Sequence, residues 1–355
     1  MGEIKIMKLL ITGNMGYIGA CVIQRLRSIL PDDTLIGLDT GFFANGLTNA
    51  KILPECAADI QYFADVRNLP SGLLDDVDAV IHLAAISNDP MGTQFEDVTF
   101  EINYRASIRL AISAKKAGVN SFVFASSCSM YGTAEDEART EDSPLNPLTA
   151  YAKSKVSTEK ELATLAENGF KVTCLRFATA CGMSDRLRLD LVLNDFVAGA
   201  IASKKITILS DGTPWRPLIN VKDMAQAIEW AVFRNIDQGG EFLAVNAGSD
   251  EWNYQVRELA EAVAQVIPDV SISINKDAMP DKRSYRVNFD RFKHLAPDHQ
   301  PDVDLITSIK ELKNGLEEMG FKDADFRNSQ YMRLRVLTDL RHRGYLSETL
   351  EWQNI

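Results

Sequence analysis

The segment Lys8-Leu9-Leu10-Ile11-Thr12-Gly13-Asn14-Met15-Gly16-Tyr17-Ile18-Gly19 constrains the fold more than any other part of this chain. Its apolar run predicts a buried strand, and Val22, Leu26 and Leu30 at helical spacing predict a helix directly after it. Glycines at 13, 16 and 19 permit a tight turn between the two and close packing of helix on strand. They also let the backbone approach a phosphate, to which the helix N-terminus offers amides and partial positive charge. Between a strand and a helix, this spacing predicts a dinucleotide-binding βα turn.

The alternation continues. Strands are predicted at Thr34–Asp39, Ile60–Ala64, Ala79–Leu83, Ser121–Ser126 and Lys171–Arg176. A long helix carries Val98, Ile102, Ala106, Leu110, Ala114 and Ala117 on one stripe and stops at Gly118. Continuous apolar strands alternating with helices predict an α/β chain: a doubly wound parallel Rossmann sheet with a smaller mixed α/β lobe. Residues 1–176 form the nucleotide-binding domain, with a segment near 221–247 returning to its sheet. Residues 177–220 and 248–330 form the lobe, and 331–355 a helical tail, helical from Tyr331 to Trp352. The tail's Arg333, Arg335, Arg341 and Arg343 admit two readings, a phosphate or partner contact and a solvated basic face.

A net charge of -11 argues against a nucleic-acid or anionic-membrane binder. The five scattered cysteines show no metal-ligand spacing and imply reduced thiols in a cytoplasm. No apolar run is long enough to span a bilayer, and the N-terminus carries no signal-peptide pattern. Asp39 ends the second strand about twenty residues beyond the last glycine, where an acid accepts hydrogen bonds from ribose hydroxyls and repels a 2′-phosphate. The expected cofactor is therefore NAD rather than NADP.

Tyr151 and Lys155 stand four apart and share one helical face. A serine cluster, Ser126-Ser127-Cys128-Ser129-Met130-Tyr131-Gly132, ends a strand shortly before them. Hydride transfer needs a base for a hydroxyl proton, and a neighbouring ammonium favours the phenolate of a tyrosine. Together with the glycine turn, these residues resemble the extended short-chain dehydrogenase/reductase family, in its branch of NAD-dependent nucleotide-sugar epimerases and dehydratases.

The resemblance implies a catalytic set of Ser127, Tyr151 and Lys155, with Lys155 also holding the nicotinamide ribose. It implies cofactor contacts at Gly13, Gly16, Tyr17, Ile18, Gly19 and Asp39, at Asp65 and Val66, at Leu83, Ala84 and Ala85, and at Tyr151 and Lys155. The implied substrate is a nucleotide-diphosphate sugar, with Ser127, Thr179, Asn194 and Arg216 as contacts and Arg283, Lys282 or Arg286 as a further cation. Asn88, in Asn88-Asp89-Pro90, lines the sugar pocket or forms a turn. His82 is given no chemistry. Family 4,6-dehydratases carry an Asp-Glu pair where this chain has Cys128 and Ser129. That disfavours dehydration and leaves carbonyl/alcohol redox at a sugar carbon, with carbon 4 expected. An epimerase, a one-way 4-dehydrogenase or 4-ketoreductase, and a non-catalytic dinucleotide sensor remain open. The resemblance also implies a homodimer or dimer of dimers, paired through the helices near 97–116 and at Tyr151.

Overall fold

The computed structural model describes residues 6–48, 50–87, 89–133, 137–275 and 284–353. The six expected strands are present as β1 (Lys8–Thr12), β2 (Thr34–Asp39), β3 (Ile60–Phe63), β4 (Ala79–His82), β5 (Ser121–Ser127) and β6 (Lys171–Phe177). Beyond them lie β7 (Thr179–Cys181), β8 (Lys205–Ile208), β9 (Trp215–Asn220), β10 (Phe242–Ala247), β11 (Asn253–Gln255) and β12 (Ser271–Ile274).

Seven strands form one parallel sheet in the order β10-β6-β5-β4-β1-β2-β3. Side chains alternate between its faces because the strand period is two. Leu9, Ile11, Ala79 and Ile81 enter one buried cluster, while Leu10, Val80, Phe122 and Phe124 enter the other. Helices cover both faces, so the strands read as unbroken apolar runs. The order reverses between β1 and β4, and in open α/β sheets ligands bind at such a switch point, outside the carboxyl ends of the strands.

The helix Val221–Phe233 leads to β10, which pairs with β6 in the main sheet. A second return was not expected. Tyr285, Val287, Phe289 and Phe292 pack into the main-sheet core. The other later segments build a mixed sheet, β11-β9-β7, and a parallel pair, β12-β8, around a third apolar cluster.

The long helix is interrupted. Helix Glu96–Phe100 passes through a π-turn at Glu101–Ala106 into helix Ser107–Lys116; Val98, Ile102, Ala106, Leu110 and Ala114 are buried as expected, but Ala117, past the helix end, is exposed. The tail requires a correction. Its helix spans only Arg333–His342 and ends before Gly344, which takes a left-handed φ of 76°. The chain then doubles back, with Leu346 bridging Trp352 in antiparallel fashion. The tail helix packs, with Leu337, Leu346 and Leu350 buried under the main sheet's helices; Arg335 and Arg343 stay exposed as a basic face, whereas Arg333 is 2% exposed. No helix of the described residues is long and apolar enough to cross a membrane.

Candidate active site

A cavity of about 1080 Å³ runs along the carboxyl edge of the sheet, over the switch point. The glycine turn forms its floor. Gly13 has a φ of 76°, and its amide donates to the Leu38 carbonyl at 2.8 Å. A Cβ at Gly13 would lie 2.7 Å from the Ala84 amide nitrogen, so β1 and the chain after β4 approach as closely as backbone permits. At Gly19 a Cβ would meet the Gly13 carbonyl oxygen at 2.3 Å, which seats the helix Tyr17–Ile29 against the turn. Tyr17 donates its hydroxyl to the Gly182 carbonyl at 2.6 Å, tying this helix to the segment after β7.

Asp39 closes β2 at the cavity wall. Its carboxylate accepts from the Met15 amide at 3.2 Å and the Gly41 amide at 2.8 Å. Burial pushes its pKa up, and the two amides oppose that. Asp65 and Val66 line the wall beside it, with Asp65 paired to Arg67 at 2.6 Å. Leu83, Ala84 and Ala85 line the opposite side, together with Gly16 and Ile18. His82 stays below the cavity, fully satisfied by Thr12 at 2.6 Å and Ser107 at 2.7 Å, and burial lowers its pKa to about 3.

Ser127, Tyr151 and Lys155 meet on this wall. Ser127 ends β5, where the strand turns into a short 3-10 helix. Its side chain accepts from the Ser129 amide at 3.2 Å, donates to the Ser129 hydroxyl at 3.0 Å, and hydrogen-bonds Tyr151. Tyr151 and Lys155 lie in the helix Ala150–Leu165, capped by Thr149, whose hydroxyl accepts from the Ala152 amide. The same hydroxyl donates to Asp89 at 2.6 Å, which brings a carboxylate to the cavity wall near Tyr151.

The electrostatics differ from the simple expectation of a stabilised phenolate. Protein surrounding the partly exposed Tyr151 desolvates its phenol and pushes its pKa up to about 12. The Ser127 hydrogen bond opposes that rise, and the Asp89 carboxylate adds to it. Burial lowers the Lys155 pKa to about 7. Its Nζ donates to the Ala125 carbonyl at 2.7 Å and lies 4.4 Å from the Phe124 ring centroid. The pair is thus held in a neutral-leaning state that added positive charge nearby would bias toward phenolate.

Thr179 and Arg216 line the far end of the cavity. Asn194 does not reach the wall. It is fully buried, accepting from the Gly182 amide at 3.0 Å and donating to the Arg188 carbonyl at 2.9 Å. Asn88 and Arg283, like Lys282, lie outside the described residues. The Cys128 thiol turns away into the core, donating to the Arg176 carbonyl at 3.1 Å.

Two cavity residues escaped the sequence reading. Arg188 is buried against Asp190 at 2.7 Å and donates to the Ser87 hydroxyl at 3.0 Å. A signal existed in Arg186-Leu187-Arg188-Leu189-Asp190, where both leucines are fully buried and the charged residues alternate with them. Asp89 entered the sequence reading only within Asn88-Asp89-Pro90, as pocket lining or a turn, with no role of its own. Its proximity to Tyr151 depends on Thr149, sixty residues later.

The cavity's donors fit NAD. A glycine turn in β1–helix geometry opens onto it, and an acid suited to a ribose stands at one end with a buried lysine at the other. Comparisons with known proteins agree. The chain is similar to an uncharacterized UDP-glucose epimerase, YtcB, of Bacillus subtilis, at 30% identity over 75% of this chain and 82% of the relative. It is also similar to a dTDP-glucose 4,6-dehydratase of Streptomyces griseus, at 28% identity over 62% of this chain and 68% of the relative. Among solved structures, MoeE5 in complex with UDP-glucose and NAD shares the fold, with a TM-score of 0.71 and 24% identity over 88% of this chain and 99% of that one. The NAD dependent epimerase/dehydratase family matches residues 9–248, and the chain belongs to that family.

Proposed function

We propose that this protein is an NAD-dependent nucleotide-sugar epimerase that acts by hydride transfer at carbon 4 of the sugar. The observation that carries this reading is the meeting of Ser127, Tyr151 and Lys155 on one wall of a cavity that also reaches Arg216. NAD, when bound, supplies a hydride acceptor that can return the hydride.

Tyr151 takes the proton of the sugar hydroxyl as the carbon–hydrogen bond breaks, and gives it back when the bond re-forms on the other face. Ser127, hydrogen-bonded to Tyr151, holds the reacting oxygen. Lys155 stays within range of the phenol, its ammonium 5.7 Å from the ring centroid, and favours the ionised form once charged. Arg216 offers its planar fork to the substrate diphosphate, and Thr179 borders the same end. Asn194 supports the site from beneath by anchoring Gly182 and Arg188. The segments 177–220 and 248–330, apart from the stretch 285–292 that packs on the main sheet, serve as the nucleotide-sugar lobe, and the helices around 97–116 and 150–165 serve as the dimer contact.

Elimination of the carbon-6 hydroxyl is disfavoured. Position 128 points a thiol into the core, and position 129 carries only a hydroxyl, which accepts from Ser127. Neither offers a carboxyl acid/base pair. The test is proton NMR of the purified enzyme with catalytic NAD and a panel of UDP-, dTDP-, GDP- and CDP-sugars. A new stereoisomer without net cofactor turnover is expected. A 4-keto-6-deoxy sugar would overturn the reading. A keto sugar formed only with stoichiometric NAD would replace it with a one-way dehydrogenase.

A further inference from the structure

We propose that Arg333, from the C-terminal helix, is a ligand of the NAD diphosphate and closes the cofactor site from the side opposite the glycine turn. This inference rests on the family's use of NAD and not on the reaction at the sugar.

Arg333 is 2% exposed and lines the cavity. Its guanidinium carbon lies 4.2 Å from the Phe43 ring centroid, and Nη2 donates to the Arg186 carbonyl at 3.1 Å. Nη1 is buried with no hydrogen-bond partner among the described residues. An unsatisfied buried guanidinium N–H is costly unless a ligand supplies the acceptor. The neighbouring arginines are engaged: Arg186 pairs with Glu55 at 2.8 Å and Arg188 with Asp190 at 2.7 Å. Burial, and then the Arg188 charge, lower the Arg333 pKa to about 9, so the site favours an incoming anion.

Position selects the anion. A dinucleotide lying along this cavity runs from Asp39, at the adenosine ribose, to Lys155, at the nicotinamide ribose. Arg333 packs on Phe43, four residues past Asp39, and holds the carbonyl of Arg186, two residues before Arg188; Asp39, Phe43, Arg188 and Arg333 all line the cavity. Arg333 therefore stands at the Asp39 end of the cavity, next to the adenosine ribose, where the diphosphate meets the glycine turn. The turn's amides approach from the strand side, and a forked cation from the tail completes the enclosure.

The test is calorimetric titration of NADH, ADP-ribose and adenosine into nucleotide-free enzyme, without any sugar substrate. Arg333→Met is expected to weaken NADH and ADP-ribose by about tenfold or more, as loss of a charge-assisted contact requires. Adenosine, which keeps the Asp39 contact and lacks phosphate, is expected to change by less than about twofold. Arg333→Lys, which keeps the charge without the fork, should fall between and remain folded by circular dichroism if the methionine variant does not. Equal losses for adenosine and ADP-ribose in a folded variant would mean general distortion and overturn the proposal. Unchanged NADH affinity would overturn it too. So would a loss confined to UDP-sugar binding on NADH-loaded enzyme, which would assign Arg333 to the substrate.

Discussion

Tyr151 and Lys155 illustrate how far a residue's chemistry depends on its burial. The phenol rises to about 12 and the ammonium falls to about 7, both because the protein desolvates them. Tyr151→Phe should lower kcat by about 10²–10⁴-fold, the usual worth of a positioned acid–base group, with NADH affinity falling far less in a binding titration. Asp89 raises the Tyr151 pKa through its charge. Tyr151 must be ionised to take the sugar proton, so Asp89→Asn should move the ascending, acidic limb of the kcat/KM profile to lower pH, and an unmoved limb would remove Asp89 from the acid–base account. Lys155 also weakens the fold. Its pKa is depressed on folding, so the unfolded chain holds the proton more tightly between about pH 7 and its ordinary range near 10.5. The cost is fully present below pH 7 and fades as pH rises. Lys155→Met should abolish turnover while melting higher than wild type at pH 6, with the gap narrowing toward pH 9.

At the scale of elements, the glycine turn is the junction that aligns everything else. Gly19→Ala would place a methyl group 2.3 Å from the Gly13 carbonyl oxygen, and backbone cannot yield there as a flexible side chain could. Overpacking of this kind costs about 1–3 kcal/mol and would push the helix Tyr17–Ile29 away from β1. The expected result is a lower melting temperature together with weaker NADH binding, read on the same sample. This junction was legible in the sequence because strand, turn and helix are contiguous and each has a local signature. β1–β6 were legible for the same reason, as was the pairing of Tyr151 with Lys155. What stayed hidden depends on distant partners. Cys128 and Ser129 are adjacent in sequence, but the 3-10 turn sends the thiol into the core and leaves Ser129 at the cavity. Asn194 has the residue type of a substrate contact, yet Gly182 and Arg188 consume its amide. Nothing local to 284–292 signals that Tyr285 and Phe289 pack into the main-sheet core.

On the scale of the whole molecule, the C-terminal tail joins the core to the cofactor end of the cavity. Arg67 donates to the carbonyls of Thr349 and Leu350, and Trp352 donates to the Thr40 carbonyl at 2.7 Å while its ring lies 5.7 Å from that of Phe42. Phe42 and Thr40 line the cavity just beyond Asp39, so the tail buttresses the cavity wall beside Asp39. Leu346 and Leu350 bury themselves in the same apolar cluster as the helices under the sheet. Each buried leucine contributes about 1.5–3 kcal/mol, a loss that the freed segment's regained entropy offsets only in part. Truncation after Gly344 distinguishes the two effects. If the tail only adds apolar contact, the shortened chain should melt several degrees lower and gain as much from saturating NADH as the full chain does. If it also shapes the wall, NADH affinity falls and the ligand-induced rise in Tm shrinks, because stabilisation follows the ratio of ligand concentration to Kd. The Trp352–Thr40 bond and the Phe42–Trp352 contact predict the second result, and melting curves of both chains across an NADH series would decide it.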